Sequence, residues 1–100
     1  MSSEFDPKGI DEVIHGRLRL GIMAYLSGRR TALFTELVDT LEATKGNLSV
    51  ALRKLEEAGY VAIDKRFENR KPQTSASLTP EGRKAWSAYL DNLRGLFPDS

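Results

Sequence analysis

The chain has 100 residues, 40% of them hydrophobic and 29% charged, the make-up of a single soluble globular domain. With no cysteine and one histidine, disulfides, thiolate metal sites and cysteine nucleophiles are excluded and histidine-based catalysis lacks partners; neither metal nor cofactor is expected. The formal charge of +1 is uneven: residues 45–72 hold seven basic and four acidic side chains, net +3, a local excess that suits a polyanion but also fits a solvated face.

The N-terminal residues 1–9 read as a tail, acidic at the start and without the layout of a signal peptide, and no apolar run approaches the ~20 residues of a membrane span. A cytoplasmic protein is expected. Over residues 10–26 the apolar positions Ile10, Val13, Ile14, Leu18, Ile22, Tyr25 and Leu26 recur every three or four residues, predicting one amphipathic helix. Gly28 is placed to end it in a left-handed turn. Residues 31–34 suit a brief strand. Thr35 is an N-cap candidate for a short second helix to Leu41 with Leu37, Val38 and Leu41 inward, and Glu42-Ala43 makes a tight connection.

Thr44 is expected to cap a third helix, residues 44–58, that buries Leu48, Ala51, Leu52, Leu55 and Ala58 and stops at a left-handed Gly59. Residues 60–65 read as a strand with Val61 and Ile63 inward, residues 67–72 as a polar loop, and residues 74–78 as the antiparallel return. Thr79-Pro80 is a cap followed by a proline at the first helical position. The last helix is expected to reach Phe97, with Pro98 as its stop and residues 98–100 as a short tail.

The fold class is therefore mainly α with a small β-hairpin, in the order helix, short strand, helix, helix, hairpin, helix. That is a winged helix-turn-helix over residues 10–97. Stepping about 100° per residue from the leucine side of the third helix leaves Gly46, Val50, Arg53 and Glu57 outward, flanked by Asn47, Ser49 and Lys54. A major groove about 12 Å wide admits such a helix. Asn47 suits adenine or a phosphate, Ser49 either, Val50 a thymine methyl, and Arg53 guanine or the backbone. The loop carries Arg70 and Lys71 beside Pro72, a wing of residues 67–73 fit to enter a minor groove.

Several stretches, in order, carry a resemblance. They are Asp11-Glu12-Val13-Ile14-His15-Gly16-Arg17-Leu18-Arg19-Leu20, Gly46-Asn47-Leu48-Ser49, Leu52-Arg53-Lys54-Leu55-Glu56-Glu57-Ala58-Gly59-Tyr60-Val61, Arg70-Lys71-Pro72-Gln73-Thr74 and Leu78-Thr79-Pro80-Glu81-Gly82-Arg83. Together they resemble the small winged-helix transcriptional regulators of bacteria and archaea, of MarR and ArsR type. The resemblance implies a homodimer on double-stranded operator DNA of pseudo-palindromic sequence. The contacts it implies fall on Thr44, Lys45, Asn47, Ser49, Val50, Arg53 and Arg70, to which the charge pattern adds Lys54 and Lys71. Three positions depart from the family pattern: Val50 where a basic or polar residue is common, Glu42 where a turn glycine is, and Ala76 where an aromatic is.

The broad apolar side of the last helix exceeds what one small core absorbs. Ile10, Ile14, Trp86, Tyr89, Leu90, Leu93, Leu96 and Phe97 are thus expected at a dimer interface, with Tyr25 and Phe5 as further candidates. His15 is expected to be a packing or interface residue, since nothing around it in the sequence makes a site. No enzyme is expected. The reading is a transcriptional repressor, and the alternative is a winged-helix module that docks another protein without binding DNA. The sequence names no small-molecule or protein effector.

Overall fold

A computed structural model describes residues 6–96. Helix α1 (Arg17–Ser27) leads through strand β1 (Ala32–Leu33) into α2 (Phe34–Leu41) and α3 (Lys45–Glu57). A hairpin of β2 (Val61–Glu68) and β3 (Lys71–Leu78) follows, then α4 (Pro80–Leu93) and a 3-10 turn, Arg94–Leu96. The antiparallel sheet has the order β1-β3-β2. The expected winged helix-turn-helix order is present in full.

The core is one apolar cluster beneath α3. Ile22, Met23 and Leu26 of α1, Leu37 of α2, Leu48, Leu52 and Leu55 of α3, Val61 of β2, and Ala76 and Leu78 of β3 are all buried in it. Ala76 stands opposite both Ala32 and Ile63 in the sheet and is buried, so its small side chain fills a place in the core under the central strand. Thr44 caps α3 by accepting from the Asn47 amide (3.0 Å), and Thr79 caps α4 by accepting from Gly82 (2.9 Å). Gly59 closes α3 with a φ of 84°.

Several expectations need correction. The first helix begins at Arg17, not Ile10. The Asp11 carboxylate takes the amides of Val13 (2.9 Å) and Ile14 (3.3 Å), Gly16 is extended, and Arg19 Nε holds the Val13 carbonyl at 2.6 Å. Residues 10–16 are therefore a capped turn that still delivers Ile14 to the core. Gly28 is not left-handed; its φ is −97°. The second helix is not capped by Thr35, which lies inside it. Leu33 holds the cap position, and its amide donates to the Glu36 carboxylate at 3.2 Å. Ala58 is exposed at the end of α3 rather than buried.

The expected loop 67–72 is mostly strand, with only Asn69 and Arg70 between β2 and β3. Residues 6–9, expected as tail, include a 3-10 turn at Pro7–Gly9. The Asp6 amide donates to Asn92 Oδ1, and Asn92 Nδ2 donates to the Asp6 carbonyl, both at 3.1 Å. The last helix ends at Leu93. Phe5, Phe97 and Pro98 lie outside the described residues.

Two of the expected interface residues have no surface to give. Ile14 is fully buried, and Tyr89 is buried with its hydroxyl 3.0 Å from His15 Nδ1 and its ring stacked on Trp86. Both serve this chain's own packing. Ile10, Trp86 and Leu93 are half-buried, whereas Leu90 and Leu96 keep 37% and 50% of their surface. No helix of the described residues is long and apolar enough to cross a membrane.

Candidate nucleic-acid interface

The helix-turn-helix unit is set by local chemistry. The Tyr25 hydroxyl of α1 donates to Glu36 of α2, and the Arg29 guanidinium lies over the Tyr25 ring, 3.6 Å from its centroid. The Tyr25 hydroxyl, the Leu33 amide and the Arg29 charge hold the Glu36 carboxyl below its ordinary value. Between α2 and α3, Glu42 adopts a left-handed backbone, φ 52° and ψ 46°. The family's turn glycine is thus replaced without loss of the turn, although a non-glycine residue there costs about 1–2 kcal/mol.

With its leucines held inward, α3 turns its other flank to solvent. Thr44, Lys45, Gly46, Asn47, Ser49, Val50, Arg53 and Lys54 are all exposed, Val50 by 56%. The structure divides the expected contact residues. Ser49 and Arg53 line an open groove of about 350 Å³ between α3 and the hairpin, completed by Phe34, Leu52, Glu56, Ile63, Lys65 and Thr74. Lys54 lies beyond the other edge of α3, beside Glu12, Arg19 and Glu57. Asn47 shares that edge by the helical step of about 100° per residue.

Strand alternation sorts the wing in the same way. Val61, Ile63, Lys65 and Phe67 share one face of β2, opposite Leu78, Ala76, Thr74 and Pro72 of β3. This is the face that packs toward α3. Lys71, paired with Glu68, falls on the reverse face with Asp64 and Arg66. Arg66 is engaged there, 2.5 Å from Asp64. Lys65 is absent from the residues expected above, yet it joins Ser49 and Arg53 in the groove. Counting by twos from buried Val61 carries the signal for it.

Asn69 and Arg70 both have positive φ, 50° and 65°, as a two-residue type I′ hairpin turn requires. Glycine is the favoured second residue of such a turn. An arginine there is held against its backbone preference. Among the described residues, the ion pairs leave Lys45, Arg53, Lys54, Lys65, Arg70 and Lys71 unengaged. The arrangement presents a helix flank, a groove and a hairpin tip with uncompensated cations, in which Glu56 is the one carboxylate of the groove.

Comparison with known proteins gives a consistent picture. A family model described as a winged helix DNA-binding domain matches residues 18–97. An uncharacterized protein of Methanocaldococcus jannaschii is 33% identical over 79 residues, 79% of this chain and 86% of that protein. The structure of a transcriptional regulator homologue from Pyrococcus horikoshii OT3 matches with a TM-score of 0.82 at 31% identity, covering 89% of this chain and 88% of that one. A protein of Enterococcus faecalis V583 assigned to the MarR family of transcriptional regulators matches with a TM-score of 0.74 at 29% identity, covering 88% and 78%. These findings bear out the resemblance read from the sequence, on its MarR side.

Proposed function

Because the chain belongs to the winged helix DNA-binding domain family, we propose that it acts as a homodimeric transcriptional repressor that occupies a pseudo-palindromic operator. The family is one of DNA-binding regulators, not of enzymes. The observation that carries the reading is the common exposure of α3 and the wing, with the charges of Lys45, Arg53, Lys65 and Arg70 unpaired among the described residues. In this reading α3 enters the major groove, where Asn47, Ser49, Val50 and Arg53 meet base edges. Thr44 and Lys45 contact the backbone at the helix start, and Arg70 enters the adjacent minor groove. Lys54, two helical turns beyond Asn47 and beside Glu57, and Lys71, on the reverse face of the wing, add weaker long-range attraction to the duplex.

A dimer is supported by the apolar end of the molecule. Leu90 and Leu96 are exposed, and the half-buried Ile10, Trp86 and Leu93 pack against the core. In this reading the two α3 helices of a two-fold pair sit about 34 Å apart, one turn of the duplex. We take the domain to be residues 10–97, with the Asp6–Asn92 clip tying the residues before it to α4. The likeness to regulators of transcription supports a regulatory role, and repression by occupancy of a promoter is the form proposed for it.

The test is fluorescence anisotropy with genomic duplex fragments and scrambled duplexes at two salt concentrations. Specific binding that falls steeply with salt is expected. Arg70→Ala should weaken binding to every sequence, while Asn47→Ala or Ser49→Ala should relax the preference among sequences. Absence of salt-sensitive binding at micromolar protein would reject DNA binding in favour of a protein-docking module.

A further inference from the structure

Of the large hydrophobic side chains exposed among the described residues, Phe67 is the most exposed, at 74%. It has no place among the residues packed on the core. A strand needs no phenylalanine at that position: a threonine or valine favours extended backbone without leaving a whole ring in water. Its place is defined by the register. Phe67 pairs with Pro72 two rungs behind the Asn69-Arg70 turn, on the face shared with Lys65 and the α3 groove. The rung next to a two-residue turn exchanges hydrogen bonds, so the Phe67–Pro72 rung does not, which brings the two side chains close. It also means that the missing amide of Pro72 leaves the β2–β3 ladder intact. The hairpin therefore ends in an apolar facet, with Arg70 ahead of it and Lys65 behind.

The geometry points to Phe67, backed by Pro72, as a DNA-contacting residue of the wing that packs against deoxyribose in the minor groove. This rests on the DNA-binding reading above and adds to it a contact of a different physical kind. A minor groove about 6 Å wide is walled by sugar C–H groups, with its negative potential at the floor. A cation at the tip meets the potential, and a ring two rungs back meets the walls. The charges on either side draw the facet to a polyanion rather than to an apolar protein surface, and apolar insertion beside basic residues is an established way of holding that groove. Because sugars carry no sequence, the contact adds affinity without adding base preference.

The test is a salt titration of binding to duplexes selected by the wild-type chain from a random-sequence library, and to scrambled duplexes. Phe67→Ala should weaken binding about tenfold per wing on all of them, as when half of a phenylalanine's apolar surface returns to water. The slope of log K against log salt should not change, because no counterion-releasing contact is lost. Arg70→Ala, in contrast, should lower that slope by about one per wing. Phe67→Leu should recover most of the affinity, and circular dichroism of all variants should match the wild type, since the position is exposed.

Wild-type affinity in Phe67→Ala would overturn the inference while leaving the DNA reading intact. A reduced salt slope in that variant would also overturn it, showing that the ring only positions the cations. Absence of salt-sensitive binding by the wild type would overturn both.

Discussion

Replacing Gly82 by alanine tests whether α4 is docked as described. The amide of Gly82 donates to the Thr79 cap, and its Cα lies against the chain at the start of β2. A Cβ built there falls 2.0 Å from the Tyr60 carbonyl oxygen, 2.9 Å from its carbon and 3.1 Å from Tyr60 Cα. All three atoms are backbone, so no side-chain rotation relieves the clash. The same oxygen accepts the Thr79 amide at 3.0 Å, while the Thr79 hydroxyl donates to the Gly59 carbonyl at 2.6 Å. Moving α4 away would loosen both bonds. Overpacking costs about 1–3 kcal/mol and a lost hydrogen bond about 1 kcal/mol. The better helix propensity of alanine returns up to about 1 kcal/mol. The net loss is about 1–3 kcal/mol, a fall in Tm of roughly 4–24 °C for a domain of this size.

Gly46→Ala is the matched control. Its Cβ meets nothing within 4 Å, so the same exchange should stabilise by about 0.4–1 kcal/mol. Urea and thermal unfolding, followed by circular dichroism and by Trp86 fluorescence, measure both. A Gly82→Ala protein within about 0.5 kcal/mol of wild type would refute the packing argument, since that is the range of an ordinary surface change.

Glu42→Gly should stabilise the fold by about 0.5–1 kcal/mol in the same assay, because the left-handed backbone at φ 52° suits glycine. The Tyr60 hydroxyl donates to Asp11 at 2.6 Å, and its pKa is pushed up to about 12 by that bond, by burial and by the Asp11 charge. The folded chain therefore keeps a proton that the unfolded chain loses near pH 10. The stability this confers is whole below pH 10 and is lost as pH rises through about 12, a decline that Tyr60→Phe should abolish. Glu36 has the opposite sign: its lowered pKa stabilises above its ordinary value of 4.5 and is lost as pH falls through the lower folded value. Glu36→Gln should flatten that acid limb in a pH series of unfolding curves. Leu90→Asp with Leu96→Asp should convert a dimer to a monomer in sedimentation velocity while leaving Tm near that of the monomeric fold, since both side chains are exposed.

The elements most legible in the sequence are those whose signals are local. Thr44 and Gly59 bound α3, Thr79-Pro80 starts α4, and the Leu48-Leu52-Leu55 spacing orients the recognition helix, because caps, left-handed glycines and helical periodicity act within a few residues. The same locality misled at residues 10–16. There the apolar spacing is that of a helix, but the Asp11 carboxylate and extended Gly16 make a turn that buries the same Ile14. Periodicity reports which side chains face inward; it does not distinguish two backbones that satisfy it equally.

Pairings between distant segments required the folded chain. That Ile14 and Tyr89 are spent on internal packing depends on contacts across the whole sequence, as does the Asp6–Asn92 clip. Lys65 and Phe67 acquire their places only from the β2–β3 register, in which a slip of one residue in β2 would send both to the reverse face. The sequence by itself determined the order of elements, the inward side of α3 and the cations of the middle third. The tertiary structure alone decided which of those cations share a groove and which apolar residues remain exposed, since both follow from strand register and helix docking, interactions that no short window of sequence contains.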